Sequence, residues 1–466
     1  MDLPTASFTS QHDTQRCIKF ARTHRRDEQH RIVDYASDCI LRDVSNNNRQ
    51  YDLVVWGATG VAGRLVAEHL TEQYSSNDLS LALGGRNEER LRSIEADLVA
   101  ENDGWAEIPI VLGDATDPAS LHNLAEKTRV VCTTVGPYTE YGTPLVEACV
   151  AAGTDYCDLT GEVTWIREMI DRYHHKAVDA GARIVHSCGF DSIPADLGTM
   201  LVQSFATEKF GAPCELVRIY IEASSGGVSG GTMASAVAMF EAASTVPFAR
   251  QTLQNPYSLA PRGERTGVDP GAQRGPKRDP LRPLWTAPSP MAPINERVVR
   301  RSNALLGYPW GREFRCSEVI PTGRGLGGAA TASAIAAGLG LGTVGMSFGP
   351  VREVLSRFVF PEPGEGPTVE QMEHGHFTVR VFGRGMATDG PFNVTSEVSA
   401  DRDPGYGATA KMLGEAAMCL VREEVDSPFP GGILTPVSGI GEPLADRLRD
   451  VGLVVTVEEW TNSTLE

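Results

Sequence analysis

Leu53-Val54-Val55-Trp56-Gly57-Ala58-Thr59-Gly60-Val61-Ala62-Gly63-Arg64 decides the fold of this 466-residue chain. The apolar run reads as a strand, and glycines at 57, 60 and 63 carry the chain through a tight turn into a helix from Arg64 to Tyr74. Gly57 permits the turn, Gly60 lets backbone approach a phosphate, and Gly63 lets the helix lie close against the strand. The free N–H groups and positive dipole end of such a helix favour a pyrophosphate. Ala58, Thr59 and Val61 complete the loop and join the glycines as candidate cofactor-binding residues. The first spacing is G-x-x-G rather than G-x-G, so the downstream sequence has to carry the reading.

A second strand is predicted at Leu79–Leu83, followed by Gly84-Gly85-Arg86. A dinucleotide fold that takes NAD places an acid here for the ribose hydroxyls, whereas a basic residue accommodates the 2′-phosphate of NADP. Arg86 lies 23 positions after Gly63 (86 − 63), and no acid occupies 83–87. The expected cofactor is therefore NADP(H), with a solvated arginine as the plain alternative. A third strand, Ile108–Leu112, runs into Asp114, which either binds the adenine amino group or caps the helix around Ser120–Glu126. The fourth, Arg129–Thr134, runs into Gly136-Pro137-Tyr138, a turn on the ligand side of an open α/β sheet. Strands alternating with helices at this spacing predict a parallel Rossmann-type sheet.

Composition sets the outer limits. The length allows two or three domains with ample cores, and 41% hydrophobic and 22% charged residues are ordinary for a globular cytoplasmic protein. A net charge of −18 excludes a general nucleic-acid binder, which needs a basic face. Nine cysteines without C-x-x-C pairs indicate neither a zinc site nor a disulfide framework, so no metal is expected. Cys132, Cys149, Cys157 and Cys188 read as buried packing residues. No secretory signal is read. Residues 1–49 are polar and too acidic for a mitochondrial presequence, and read as a disordered extension.

Beyond the fourth strand the words accumulate: GATGVAGR from Gly57, GGRN from Gly84, TVGPYTEYG from Thr134, DYCDLTGE from Asp155, GFDSIPADLG from Gly189, then SGGT and DPGYGATAKM. In order and spacing they resemble the saccharopine dehydrogenase-like oxidoreductases, a family related to the trans-acting enoyl reductases of bacterial lipid synthesis. The resemblance spans roughly residues 50 to 460. It implies an NADP(H)-dependent oxidoreductase associated with glycolipid synthesis and lipid droplets, and it leaves the substrate open. A saccharopine-type substrate with several carboxylates needs convergent basic side chains. Between Asp191 and Met239 only Lys209 and Arg218 are basic, and Gly226–Thr232 is small and neutral. A lipid-like enoyl or keto substrate suits that composition better. An amino-acid dehydrogenase, or a non-catalytic nucleotide-binding protein on lipid surfaces, is the alternative.

Reduction of a double bond needs one proton donor near the developing anion. Tyr138 is the first catalytic candidate by topology and Asp191 the second, with Tyr141, Asp158 and Glu162 also on the crevice side. Asp158 and Glu162 equally suit caps for a helix starting near Val163, and Asp191 a turn before Pro194. No tyrosine has a lysine four places on, which removes the short-chain dehydrogenase mechanism. Tyr173–Lys176 lies mid-helix and reads as a solvated face, with His174 and His175 on different sides.

The expected layout is a Rossmann domain over 50–195, a second α+β domain over 196–400 with an antiparallel sheet, and a segment 401–466 whose helix returns to the first domain. Alternating residues at His376–Phe382 and Phe392–Val398 supply strands of that second sheet, after a rigid loop at Pro361–Pro367. The Pro- and Arg-rich stretch 253–300 reads as a mobile excursion, either a lid or, preferred, a surface insertion. The uncharged run 325–351 is long enough to cross a bilayer but is mostly Ala and Gly. A buried helix on the sheet is the favoured reading, and attachment to a membrane or lipid droplet the alternative. Expected partners are a lipid-like small molecule, a second copy of the chain, and that membrane contact.

Overall fold

The computed structural model describes residues 49–225, 246–347, 374–423 and 425–460. The readings for residues 1–48, Gly226–Thr232 and Pro361–Pro367 lie outside them. The first sheet contains β1 (Tyr51–Trp56), β2 (Leu81–Gly85), β3 (Ile110–Leu112), β4 (Thr128–Thr133), β5 (Asp155–Asp158) and β6 (Arg183–Val185). Helices α1 (Val61–Gln73), α2 (Glu88–Glu101), α3 (Pro118–Lys127), α4 (Tyr138–Ala152) and α5 (Val163–Asp179) connect them. All pairings are parallel. Leu53, Val54 and Val55 are fully buried because helices cover both faces, and alternate residues feed two cores: Leu53 and Val55 one, Val54 and Trp56 the other.

The second sheet follows α6 (Ile193–Phe210). It is built from β7 (Cys214–Ser225), β8 (Lys277–Arg278), β9 (Trp285–Pro288), β10 (Arg315–Gly323), β11 (His376–Ala387) and β12 (Gly390–Ala400). Its pairs are antiparallel except β7 with β10. α6 lies across it at close range: a Cβ at Gly198 would stand 2.8 Å from Val381 Cγ2, and Ser396 Oγ donates to the Gly198 carbonyl at 2.9 Å.

The end of the chain closes both sheets. α10 (Thr409–Val421) packs on α1, with His69 Nε2 2.8 Å from Glu415 Oε1 in a buried contact. β13 (Gly432–Leu434) then adds a seventh parallel strand beside β6, giving the order β13-β6-β5-β4-β1-β2-β3. After α11 (Pro443–Asp450), β14 (Val454–Glu459) pairs with β12 and gives β14-β12-β11-β7-β10-β9-β8. Both sheets therefore take strands from beyond the ranges expected for their domains.

Two expectations are corrected. The stretch 253–300 is not a loose excursion: it holds the end of α7 (Pro247–Gln254), β8, β9 and most of α8 (Ala292–Leu305). Buried arginines fasten it. Arg297 donates to the carbonyls of Asn255 (3.1 Å) and Leu253 (2.8 Å), and Arg301 to those of Leu259 and Ile433 at 2.5 Å. A guanidinium can be buried when carbonyl oxygens take its hydrogens, and burial pushes Arg301 down to about 9 and Arg297 to about 10.

The favoured burial of the apolar run also fails. α9 (Gly325–Ser347) starts at the end of β10 and touches β9 and β10, but most of its length is left uncovered. Only 11% of its Gly325–Gly342 window is buried, and Leu326 and Leu341 are 91% and 73% exposed.

Candidate active site and cofactor crevice

The glycine turn closes around backbone. Gly57 has φ +93°, and a Cβ there would lie 2.7 Å from Val135 Cγ2. A Cβ at Gly63 would lie 2.2 Å from the Gly57 carbonyl oxygen, so α1 can approach β1 only with glycine at this position. Gly57 N donates to the Gly84 carbonyl at 3.0 Å, and Ala58 is fully buried beneath the loop. Gly60 is exposed at the helix start; no side chain caps α1 and its first turn carries no acid. An anion facing the turn would meet unopposed N–H groups.

Arg86, Asp114 and Tyr141 come together at the same edge, close enough that Arg86 acts electrostatically on both others. Arg86 is exposed and makes no ion pair among the described residues. Asp114 does not cap α3; Asp117 does, accepting from Ala119 N at 3.0 Å. Asp114 Oδ1 instead accepts from Thr116 N and Oγ1 at 2.8 and 2.7 Å, and these bonds hold its carboxyl below the usual range. Gly136 is exposed at the end of β4, and its peptide bond to Pro137 is cis.

Tyr138 is corrected as a proton donor. It is 6% exposed, donates to the Thr133 carbonyl at 3.2 Å and accepts from Leu159 N at 3.2 Å. Its ring packs on Trp165 at 5.4 Å, and burial pushes its hydroxyl far above 10. Glu162 caps α4 rather than its own helix: its carboxylate accepts from Tyr138 N and Thr139 N, both at 2.8 Å. Asp158 is fully buried and saturated by Thr160 N, Ser187 N, Tyr156 Oη and His186 Nδ1. Nor is Tyr173–Lys176 wholly solvated. Tyr173 is buried, and His174 Nδ1 accepts from Ile433 N at 3.1 Å.

Asp191 has a different setting. It follows β6, just before α6, near enough to Gly161 that a Cβ there would lie 3.7 Å from Asp191 Oδ2. It is partly exposed, no hydrogen bond from the described residues holds its carboxyl, and the surrounding protein raises it to about 6 by desolvation. Facing it from the second sheet is Glu318 on β10, fully buried and raised to about 7 by desolvation, with Asp191 among the charges that raise it. Ser289 Oγ donates to Glu318 Oε1 and Asn295 Nδ2 to Oε2, both at 2.5 Å. Ser192 Oγ donates to Asn295 Oδ1 at 2.9 Å and completes the chain back to the Asp191 loop.

The family model described as saccharopine dehydrogenase NADP-binding domain matches residues 53–185. A trans-acting enoyl reductase of Mycobacterium tuberculosis (strain ATCC 25618 / H37Rv) is 38% identical over 422 residues, covering 88% of this chain and 99% of its own. One of Mycobacterium ulcerans (strain Agy99) is 38% identical over 424 residues, covering 89% and 99%. The chain belongs to the saccharopine dehydrogenase-like family, which includes these relatives named trans-acting enoyl reductase. Among solved structures, the apo histidine-tagged saccharopine dehydrogenase (L-Glu forming) of Saccharomyces cerevisiae covers 88% of this chain and all of its own, with a TM-score of 0.51 at 13% identity, a likeness of fold.

This family member is an NADP(H)-dependent oxidoreductase. Its turn fits a dinucleotide: an uncapped helix start, a backbone cradle that a Cβ at Gly63 would fill, and an unpaired Arg86 one strand away. Sequence reasoning missed Ser192, Ser289, Asn295 and Glu318. The last three stand 97 to 126 positions after Ser192 (289 − 192 and 318 − 192), and no local spacing announces their meeting. The one available signal was an acid, Glu318, inside the apolar alternation Cys316–Ile320.

Proposed function

We propose that this enzyme reduces a carbon–carbon or carbon–oxygen double bond of a lipid-linked acyl group, with an enoyl group as the first choice. NADPH, when bound, supplies the hydride. For an enoyl group the hydride goes to the β carbon, and Asp191 in its acid form gives its proton to the α carbon, leaving a saturated acyl chain and the Asp191 carboxylate. The observation that carries this reading is the Asp191 carboxyl, without a hydrogen-bond partner among the described residues, placed just before α6 and kept partly protonated near neutral pH by desolvation.

The charge of the site supports an acyl rather than an amino-acid substrate. Asp191 and the buried Glu318 stand there, while three basic groups of the second half are engaged elsewhere. Arg218 is held by Asp279 at 2.9 Å and by Ser317 at 2.6 Å, Arg300 by Asp269 and Glu296, and Lys209 by Glu459 on the surface. The relatives named trans-acting enoyl reductase favour the same choice. α9 suits attachment to a lipid surface: it is uncharged, exposed, and at 23 residues about 34 Å long. NADPH oxidation should be followed with an enoyl thioester, a β-keto thioester and saccharopine. Turnover of saccharopine alone would sink the acyl reading.

A further inference from the structure

The strand registers bring a set of residues to one end of the second sheet. Gly323 pairs with Trp285, and Trp285 with Arg278, so α9 leaves the sheet beside an exposed arginine and a half-buried tryptophan. Because β7 and β10 run parallel, Ser225 marks the same end. His376 pairs with Ser225, Phe377 with Ala400, and Ser399 with Val454, which carries that end across to β14. Here a cavity of about 250 Å³ opens, lined by His376, Arg402 and Lys411 with Asp401 as its acid.

Arg402 is exposed and forms no ion pair among the described residues. Lys411 is half-buried and donates to the Val451 carbonyl at 2.7 Å; burial first, and the nearby Arg402 charge second, disfavour it as a cation. An anion in the cavity would relieve that repulsion. Arg324 is exposed at the foot of α9, and the Arg278 guanidinium stands 6.0 Å from the Trp285 ring centroid. Tryptophan and arginine beside an exposed apolar helix make the mixture that sits at a membrane–water interface. On a chain of net charge −18, a cationic face of this kind is a local exception.

We propose that this end of the second sheet is a membrane-docking face that selects anionic phospholipid headgroups, with α9 entering the lipid and the Arg402–Lys411 cavity holding a headgroup phosphate or carboxylate. It rests on the lipid-surface reading of α9 and adds the class of lipid. Arg278, Trp285 and Arg324 stand at the helix foot, and Arg402 and Lys411 lie further along the same end of the sheet, beyond β7 and β11. A membrane-held reductase then meets lipid-linked chains at their own surface.

The test is flotation of the full chain with vesicles of phosphatidylcholine alone and with added phosphatidylserine. The wild type should prefer the anionic vesicles, and each charge removed in Arg402→Gln and Arg278→Gln should weaken that binding about fivefold, with high salt doing the same. NADPH binding, followed by fluorescence, should stay unchanged and show that both variants are folded. Equal binding to the two vesicle types overturns the headgroup selection while leaving α9 as a lipid anchor. No binding to either overturns both readings. Saturable binding of inorganic phosphate, lost in Arg402→Gln but without vesicle preference, assigns the cavity to a free anion and overturns the headgroup.

Discussion

Ser192 and Asn295 are joined by a 2.9 Å hydrogen bond that ties the loop carrying Asp191 to α8. Asn295 passes the link to Glu318 on β10, so one short chain of donors holds the Glu318 carboxyl and anchors the loop that carries Asp191. Breaking it in Asn295→Ala should lower turnover more than cofactor affinity, because the turn at Gly57–Gly63 is untouched. Initial-rate kinetics set beside NADPH titration check this.

Asp191→Asn should reduce kcat by about 10²- to 10⁴-fold with NADPH binding unchanged, the usual worth of a positioned proton donor. With the carboxyl raised to about 6, the acid form is present below that pH. The wild-type rate limited by proton donation should fall as pH rises through 6, and the variant should lack that limb.

Glu318 is raised to about 7, above its unfolded value. The sign follows: its contribution to stability is full below the unfolded pKa and is lost as pH rises through about 7. Glu318→Gln keeps the neutral shape and should flatten the pH dependence of thermal unfolding between about 5 and 8. An unchanged slope would refute this burial account.

Arg86→Asp should weaken NADPH by about 10- to 100-fold and NADH far less, since one charge-assisted contact to a phosphate is worth about 1.5–3 kcal/mol. Equal losses would show that Arg86 does not face the 2′-phosphate.

Tyr138→Phe should retain most activity and lose stability by about 1–3 kcal/mol, the cost of leaving the buried Leu159 N–H without its acceptor. Denaturant unfolding and turnover on the same preparation separate these effects.

The nucleotide half was legible because its determinants are local: Gly57, Gly60, Gly63 and Arg86 fall within 30 residues, in strand-then-helix order. Asp191 was legible as a polar residue at a strand end. Glu318 was not, because only the pairing of β10 with β7 and β9 brings it to Asn295 and Ser289. The arginines of α8 misled for a related reason. Their charge suggested solvent, while Arg297 and Arg301 reach carbonyls more than 40 positions away, those of Asn255 and Leu259. The exposure of α9 could not be read at all, since Ala and Gly suit a tight core as well as an unpartnered helix.

β13 has a consequence for how the chain is made. The seventh strand of the nucleotide sheet lies at Gly432–Leu434, nearly 250 residues after its neighbour β6, at Arg183–Val185. During synthesis, the sheet that holds the dinucleotide turn has an open edge until the last tenth of the chain has emerged. Cutting the gene after the Rossmann segment would expose the backbone groups of β6 to any passing strand. The cofactor half is therefore not a module that can be lent to another protein, and premature termination should yield aggregates rather than a smaller NADPH binder.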